Sequence, residues 1–152
     1  MKGMLVVTPS KCIDCKKCQL ACSYRHHDVF DSSRGRIHVV SKGEEDGIPV
    51  VCLQCEEAAC KAVCPTGALL EHDEKGVIAV DHEKCIRCLA CVASCPFGNI
   101  TFDEPSKSVQ KCDLCGGNPI CAVFCPTEAL RYVEVDEESG EERDLAVSAA
   151  CE

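Results

Sequence analysis

Apolar positions in this chain come in short runs, cut by turn signals every few residues. Residues 69–80 (LLEHDEKGVIAV) read as a strand, a turn at Glu74, Lys75 and Gly76, and a second strand, which together predict a β-hairpin. Residues 100–109 (ITFDEPSKSV) predict another, with residues 103–106 at its turn. Strands at residues 5–7 and around 131–135 are placed to pair and close the sheet. Helix-tolerant stretches at 89–94 (LACVAS) and 122–124 (AVF) each run into Cys-Pro. Proline disfavours helical geometry in the residue before it, so each short helix should stop at the cysteine. The stop is repeated: CPTGAL at 64–69, CPFGNI at 95–100 and CPTEAL at 125–130 are three copies of one turn leading into an apolar pair. Residues 24–49 form a longer connection, with a short strand at 36–40 and an acidic loop at 43–47. The segment 136–152 is acidic, then Ala-rich, and reads as a poorly ordered tail.

The chemistry lies in the cysteines. Sixteen of the seventeen fall into four sets: Cys12, Cys15, Cys18, Cys22; Cys52, Cys55, Cys60, Cys64; Cys85, Cys88, Cys91, Cys95; and Cys112, Cys115, Cys121, Cys125. The first and third sets have the spacing C-x2-C-x2-C-x3-C, the run that holds cubane iron–sulfur clusters in bacterial ferredoxins. The second and fourth are the same run with two and three extra residues before the third cysteine. Sixteen thiolates can serve four [4Fe–4S] clusters. Three cysteines of a run wrap one cube, and the fourth reaches the neighbouring cluster. The short link between the second and third sets predicts site C (Cys52, Cys55, Cys60 with Cys95) and site D (Cys85, Cys88, Cys91 with Cys64). By elimination, the outer sets form site A (Cys12, Cys15, Cys18 with Cys125) and site B (Cys112, Cys115, Cys121 with Cys22). Zinc would take two C-x2-C pairs per ion rather than triplets with a following Cys-Pro. Disulfides would need an oxidising compartment, for which the chain shows no export signal. A [3Fe–4S] cluster would need a missing ligand, and none of the sixteen is missing.

Composition sharpens this reading. A chain of 152 residues with no Trp, two Tyr and four Phe builds a small core of Val, Ile, Leu and Ala, so the metal should hold the fold together as well as carry electrons. The predicted class is α+β: two tandem bacterial-ferredoxin-like pseudo-repeats, each binding two cubanes, with short helices and β-hairpins. They make one intertwined domain over 1–135, the inner pair at about 46–107 and the outer pair at about 5–45 with 108–135. The formal charge is −9, and four clusters would add about −8. Nucleic acid and anionic membrane surfaces are therefore excluded as partners, and a basic patch on a redox protein fits. No apolar stretch approaches the roughly 20 residues that span a bilayer, which predicts a cytoplasmic protein without membrane insertion. There is no G-x-G-x-x-G, Walker loop, paired-carboxylate or Ser/His/Asp arrangement, hence no catalytic residue and no substrate site.

Other residues weigh less. His26 and His27 follow Cys22 and could tune or ligate a cluster, but read first as loop polarity. Arg25, Arg34 and Arg36 could offset cluster charge, but read first as a solvated face. Lys11, Lys84 and Lys111 each precede the first cysteine of a set, which suggests contact with an anionic cluster, although the repeat alone would also place them there. Cys151 reads as a functionless thiol.

Residues 85–102 (CIRCLACVASCPFGNITF) with 111–130 (KCDLCGGNPICAVFCPTEAL) resemble the four-cluster ferredoxin-like subunits of molybdenum and tungsten oxidoreductases. That family also supplies subunits of dimethyl-sulfoxide-reductase-type enzymes, hydrogenase and formate-hydrogenlyase complexes, and carbon monoxide dehydrogenases. The first set, with Ala21-Cys22-Ser23 in place of Cys-Pro, follows the same habit. The run CSYRHHDVFDSSRGRIHV at 22–39 is most similar to small subunits paired with tungsten aldehyde:ferredoxin oxidoreductase-type and benzoyl-CoA reductase-type large subunits. The resemblance implies a non-catalytic subunit, in an anaerobic setting, relaying electrons between a large W/Mo-pterin subunit and a further redox subunit or ferredoxin. A free-standing polyferredoxin shuttling between enzymes is the alternative.

Overall fold

The computed structural model describes residues 2–72 and 76–135. Its strands form four separate two-stranded antiparallel sheets. β1 (Lys2–Val7) pairs with β8 (Leu130–Val135), with Leu5 opposite Tyr132. β2 (His38–Ser41) pairs with β3 (Gly47–Val50), β4 (Leu69–Glu71) with β5 (Ile78–Val80), and β6 (Ile100–Asp103) with β7 (Ser108–Lys111). The terminal strands pair as expected, yet they close no larger sheet. Strands such as β3 and β7 run almost directly into a cysteine run, which turns the chain away before a third strand can add. Both expected hairpins are present, the second turning at 104–107. The expected turn residues Glu74 and Lys75, the tail at 136–152 and Cys151 lie outside the described residues.

Four helices carry cysteines: α1 (Lys17–His27), α2 (Ala59–Ala62), α3 (Ala90–Ser94) and α4 (Ile120–Val123). Residues 24–27, expected to open a long connection, instead complete α1. Cys22 is followed by serine rather than proline, so nothing forces the chain out of the helix there. The helix stops at Asp28, left-handed at φ 56°, whose N–H donates to Tyr24 O at 2.9 Å. Beyond it the strand begins at His38 rather than Arg36 and finds a partner in β3, which Pro49 disguises in the sequence. Leu89, expected within a helix, caps α3 at φ 61°, and α3 ends just before Cys95 as expected. α4 begins two residues earlier than expected, directly after Pro119.

Two apolar clusters make the core. The first gathers Leu5, Val7, Ile37, Val51, Leu114 and Leu130 around Cys18, Cys22 and Cys121. The second gathers Leu69, Ile78, Ile100 and Val109 around Cys60 and Cys91. Arg34 ties the long connection to β6 with a two-pronged contact on Asp103: Nε to Oδ1 at 2.9 Å and a terminal nitrogen to Oδ2 at 2.7 Å. Arg34 also holds that carboxyl well below the usual carboxylate range. It is not part of the solvated face expected from sequence.

The three Cys-Pro copies share one turn. Gly67, Gly98 and Glu128, each third after its cysteine, stand at φ 63°, 65° and 54°. A Cβ added at Gly67 meets nothing within 4 Å, so only the backbone conformation resists substitution. Gly67→Val should therefore cost about 1–2 kcal/mol, whereas Glu128→Gly, already left-handed, should leave the thermal midpoint unchanged or higher. Equal losses in the two variants would contradict this reading.

Candidate metal centres

Each cysteine run is shaped by the same local strain. The residue before the second cysteine is left-handed in all four runs: Asp14, Gln54, Arg87 and Leu114 at φ 54°, 48°, 59° and 51°. None is glycine, so each position costs about 1–2 kcal/mol. Such a conformation turns successive backbone N–H groups into a concave nest that favours an anionic occupant. In the first run the nest is braced from outside. Lys16 Nζ lies 2.6 Å from Asp14 Oδ1 and donates to Val39 O at 2.9 Å, while Ser41 Oγ donates to Asp14 Oδ2 at 2.6 Å.

The helices then bring runs together. A cavity between α2, α3 and their flanking loops is lined by Cys52, Cys55, Cys60 and Cys95. A second is lined by Cys64, Cys85, Cys88 and Cys91. A third, between α1 and α4, is lined by five cysteines: Cys22, Cys52, Cys112, Cys115 and Cys121. Cys15, Cys12 and Cys125 lie near enough to Cys18 to raise its thiol further. The cysteines named for sites C, D, B and A fall in these groupings in turn, with Cys52 lining both the first and the third cavity. Neighbouring groupings approach one another in three places. Cys18 and Cys121 interact electrostatically, as do Cys112 and Cys52. Cys60 and Cys91 share the second core cluster.

Burial dominates the sulfur electrostatics. It pushes the Cys18 and Cys121 thiols up to about 12 and Cys112 well above its ordinary value, with neighbouring sulfurs adding to the effect. In the set Cys22, Cys112, Cys115 and Cys121 all four thiols are pushed up, so they ionise only beside compensating cations, which iron would supply. Hydrogen bonds favour the thiolate in places. Burial alone would raise Cys64, but bonds from the Leu69 and Ala68 amides and the Thr66 hydroxyl bring it below its ordinary value. Asn99 N donates to Cys95 Sγ at 3.4 Å, repeating the Ala68 N to Cys64 contact at 3.2 Å. Cys22, which lacks the Cys-Pro turn, takes its bond from Arg36 N at 3.2 Å instead. All sixteen set cysteines are unbridged, and four soft thiolate donors per cavity with amide donors behind them fit a cubane cluster.

Two residues read first as peripheral in the sequence, His26 and Arg36, prove central. His26 packs inward, its Nε2 3.8 Å from Cys115 Sγ and 3.6 Å from Asp113 Oδ1. Burial, and then the Arg36 charge, push its pKa down to about 4, so a neutral imidazole faces the sulfur at pH 7. The atoms of His26, Asp113 and Cys115 lie within 4.8 Å of one another. Because Cys115 shares its cavity with four other cysteines, His26 and Asp113 are neighbours of that sulfur rather than a separate metal site. Arg36 donates to Gln110 Oε1, Lys111 O and Asp113 Oδ2 at 3.0, 3.1 and 2.8 Å. Lys111 is buried, whereas Lys11 is exposed and Lys84 pairs with Asp81 at 3.2 Å, so only one of the three recurring lysines reaches a cysteine cavity. Arg25 is exposed, as expected. Among the described residues, no helix is long and apolar enough to cross a membrane.

Comparisons with known proteins agree with the chemistry. Two family models, each described as a 4Fe–4S dicluster domain, match residues 45–135 and 11–68. The polyferredoxin-like subunit of an aliphatic sulfonate oxidoreductase from Pyrococcus furiosus is 38% identical over 121 residues, covering 80% of this chain and 70% of the relative. The electron transport protein HydN of Escherichia coli is 35% identical over 161 residues, covering 88% and 89%. The active-site complex BamBC of benzoyl-coenzyme A reductase contains a chain that superposes with a TM-score of 0.53 at 22% identity, covering 96% of this chain and 88% of that one, a likeness of fold. The chain belongs to the 4Fe–4S dicluster family, and it is a ferredoxin-like electron-transfer protein carrying four [4Fe–4S] clusters.

Proposed function

We propose that the chain is the electron-relay subunit of an oxidoreductase complex, with cysteine sets A to D as the four ligand sets. It passes electrons between a large tungsten- or molybdenum-pterin catalytic subunit and a further redox partner in the cytoplasm. The observation that carries this reading is the succession of neighbouring cysteine groupings, linked where Cys18 approaches Cys121, Cys112 approaches Cys52, and Cys60 and Cys91 share one apolar cluster. Each bound [4Fe–4S] centre supplies a one-electron store. The chain fixes the spacing of these centres, shields them with two apolar clusters and presents N–H groups to their sulfurs. Complete cysteine ligation leaves no iron position for substrate, so catalysis belongs to the partner. The inner sets C and D and the outer sets A and B form the two halves of one intertwined domain, in keeping with the two core clusters.

The surface supports a subunit over a carrier. Tyr24 and Phe30 stack at 4.6 Å while remaining 50% and 72% exposed, and Val123 and Phe124 beside them are 65% and 55% exposed. Tyr24, Phe30 and Phe124, with Leu20, Ala21 and Ile120, line an apolar groove that Lys17, Arg25 and Asp28 also border, beside the helices that bear Cys18, Cys22 and Cys121. Concentrated exposed apolar surface of this kind marks a protein contact, and the catalytic subunit would dock here. Anaerobic pull-down of the tagged chain from its host should retain a stoichiometric large subunit with tungsten or molybdenum. Phe30→Glu with Phe124→Glu should release that subunit and keep the iron. A wild-type eluate with iron and no stoichiometric partner would select the mobile polyferredoxin instead.

A further inference from the structure

Lys111 is 3% exposed, yet no ion pair among the described residues reaches it. Its Nζ donates to Gln54 Oε1 at 3.0 Å, Ile78 O at 2.6 Å and Cys112 O at 3.3 Å, all neutral acceptors. An ammonium taken out of water without an anion is costly, so a buried one implies negative charge nearby. Carboxylates do not provide it. The surroundings do point to a source: Lys111 lines the cavity of Cys52, Cys55, Cys60 and Cys95, and it directly precedes Cys112 of the adjoining cavity. Gln54, 1% exposed within the Cys52–Cys55 run, donates Nε2 to Cys112 O at 2.7 Å and so locks the ammonium between the two. Burial raises the Cys60 thiol, and the Lys111 charge is foremost among the effects that oppose it.

We propose that Lys111 is a tuning residue whose fixed positive charge, set between sites B and C, raises the reduction potential of one or both of the central clusters. This rests on the assignment of those cysteine sets as ligands. Reduction of a [4Fe–4S]2+ centre adds one electron from the redox partner and no proton, so the site gains one negative charge. A fixed cation beside it favours that gain. Sites A and D lie beyond the two cavities that flank the lysine, so the effect should fall on B and C.

The test is a redox titration of the holoprotein, followed by electron paramagnetic resonance, on wild type and Lys111→Gln, which keeps amide donors and removes the charge. The reduction equilibrium of one or two of the four clusters should shift against the reduced form by about tenfold, 59 mV for a one-electron couple. Unchanged potentials, or an equal shift of all four, would overturn the proposal. If Lys111→Gln fails to assemble its central clusters, Lys111→Met and Lys111→Arg decide the matter. Loss with methionine and retention with arginine supports a requirement for charge, whereas loss with arginine too, or assembly with unchanged potentials in the methionine variant, contradicts it. Wild-type iron content separately tests the ligand assignment: fewer than four clusters sinks that reading, not the role of the lysine.

Discussion

Anaerobic removal of iron by a chelator should unfold the chain, abolishing the far-ultraviolet circular dichroism of its helices and hairpins. The reason is how little apolar material remains without the metal. The first core cluster is built around Cys18, Cys22 and Cys121, and the second around Cys60 and Cys91. Among the described residues no sheet exceeds two strands, and a two-stranded ribbon is marginal by itself in water. Three of the four helices have only four or five residues, too short to form alone. Seven non-glycine left-handed residues in the cysteine runs add strain that ligation must offset. Metal binding and folding therefore share one free energy, and losing the metal removes all of the roughly 5–15 kcal/mol that small domains possess. A stripped chain that kept dispersed amide resonances would refute this account of stability.

Breaking one central site should stop the relay without unfolding the chain. Cys55 is half-buried in the loop before α2, less enclosed than Cys52 and Cys60, which line the same cavity. Cys55→Ala should leave about twelve irons in place of about sixteen. Electron delivery through the native complex should fall to background, because tunnelling from site B to site D would have to cross the whole of site C. Sites A and B should still be reduced from their own side. A variant with about twelve irons and wild-type delivery would place site C off the route.

Cysteine spacing and the Cys-Pro repeat made much of this protein legible, because both act over a few residues. The hairpins at 69–80 and 100–109 and the stop of α3 before Cys95 follow from local turn chemistry. The run of α1 through His27 was open to the same reasoning, since the missing proline after Cys22 is visible in the sequence. What the sequence concealed depends on distant partners. His26 meets Cys115 across 89 residues, and Arg34 meets Asp103 across 69. No periodicity in either segment signals such a contact. Lys11, Lys84 and Lys111 hold equivalent places in the repeat, but only Lys111 finds Gln54 and the Ile78 carbonyl to receive its ammonium. Equivalent sequence positions diverge once the long-range packing differs.

The account turns on four cubane clusters in one chain. Iron and acid-labile sulfide per chain, measured with Mössbauer spectra on anaerobically purified protein, test it most directly. About sixteen irons, all in [4Fe–4S] environments, are expected. About eight irons, or zinc in any of the four cysteine groupings, would contradict it.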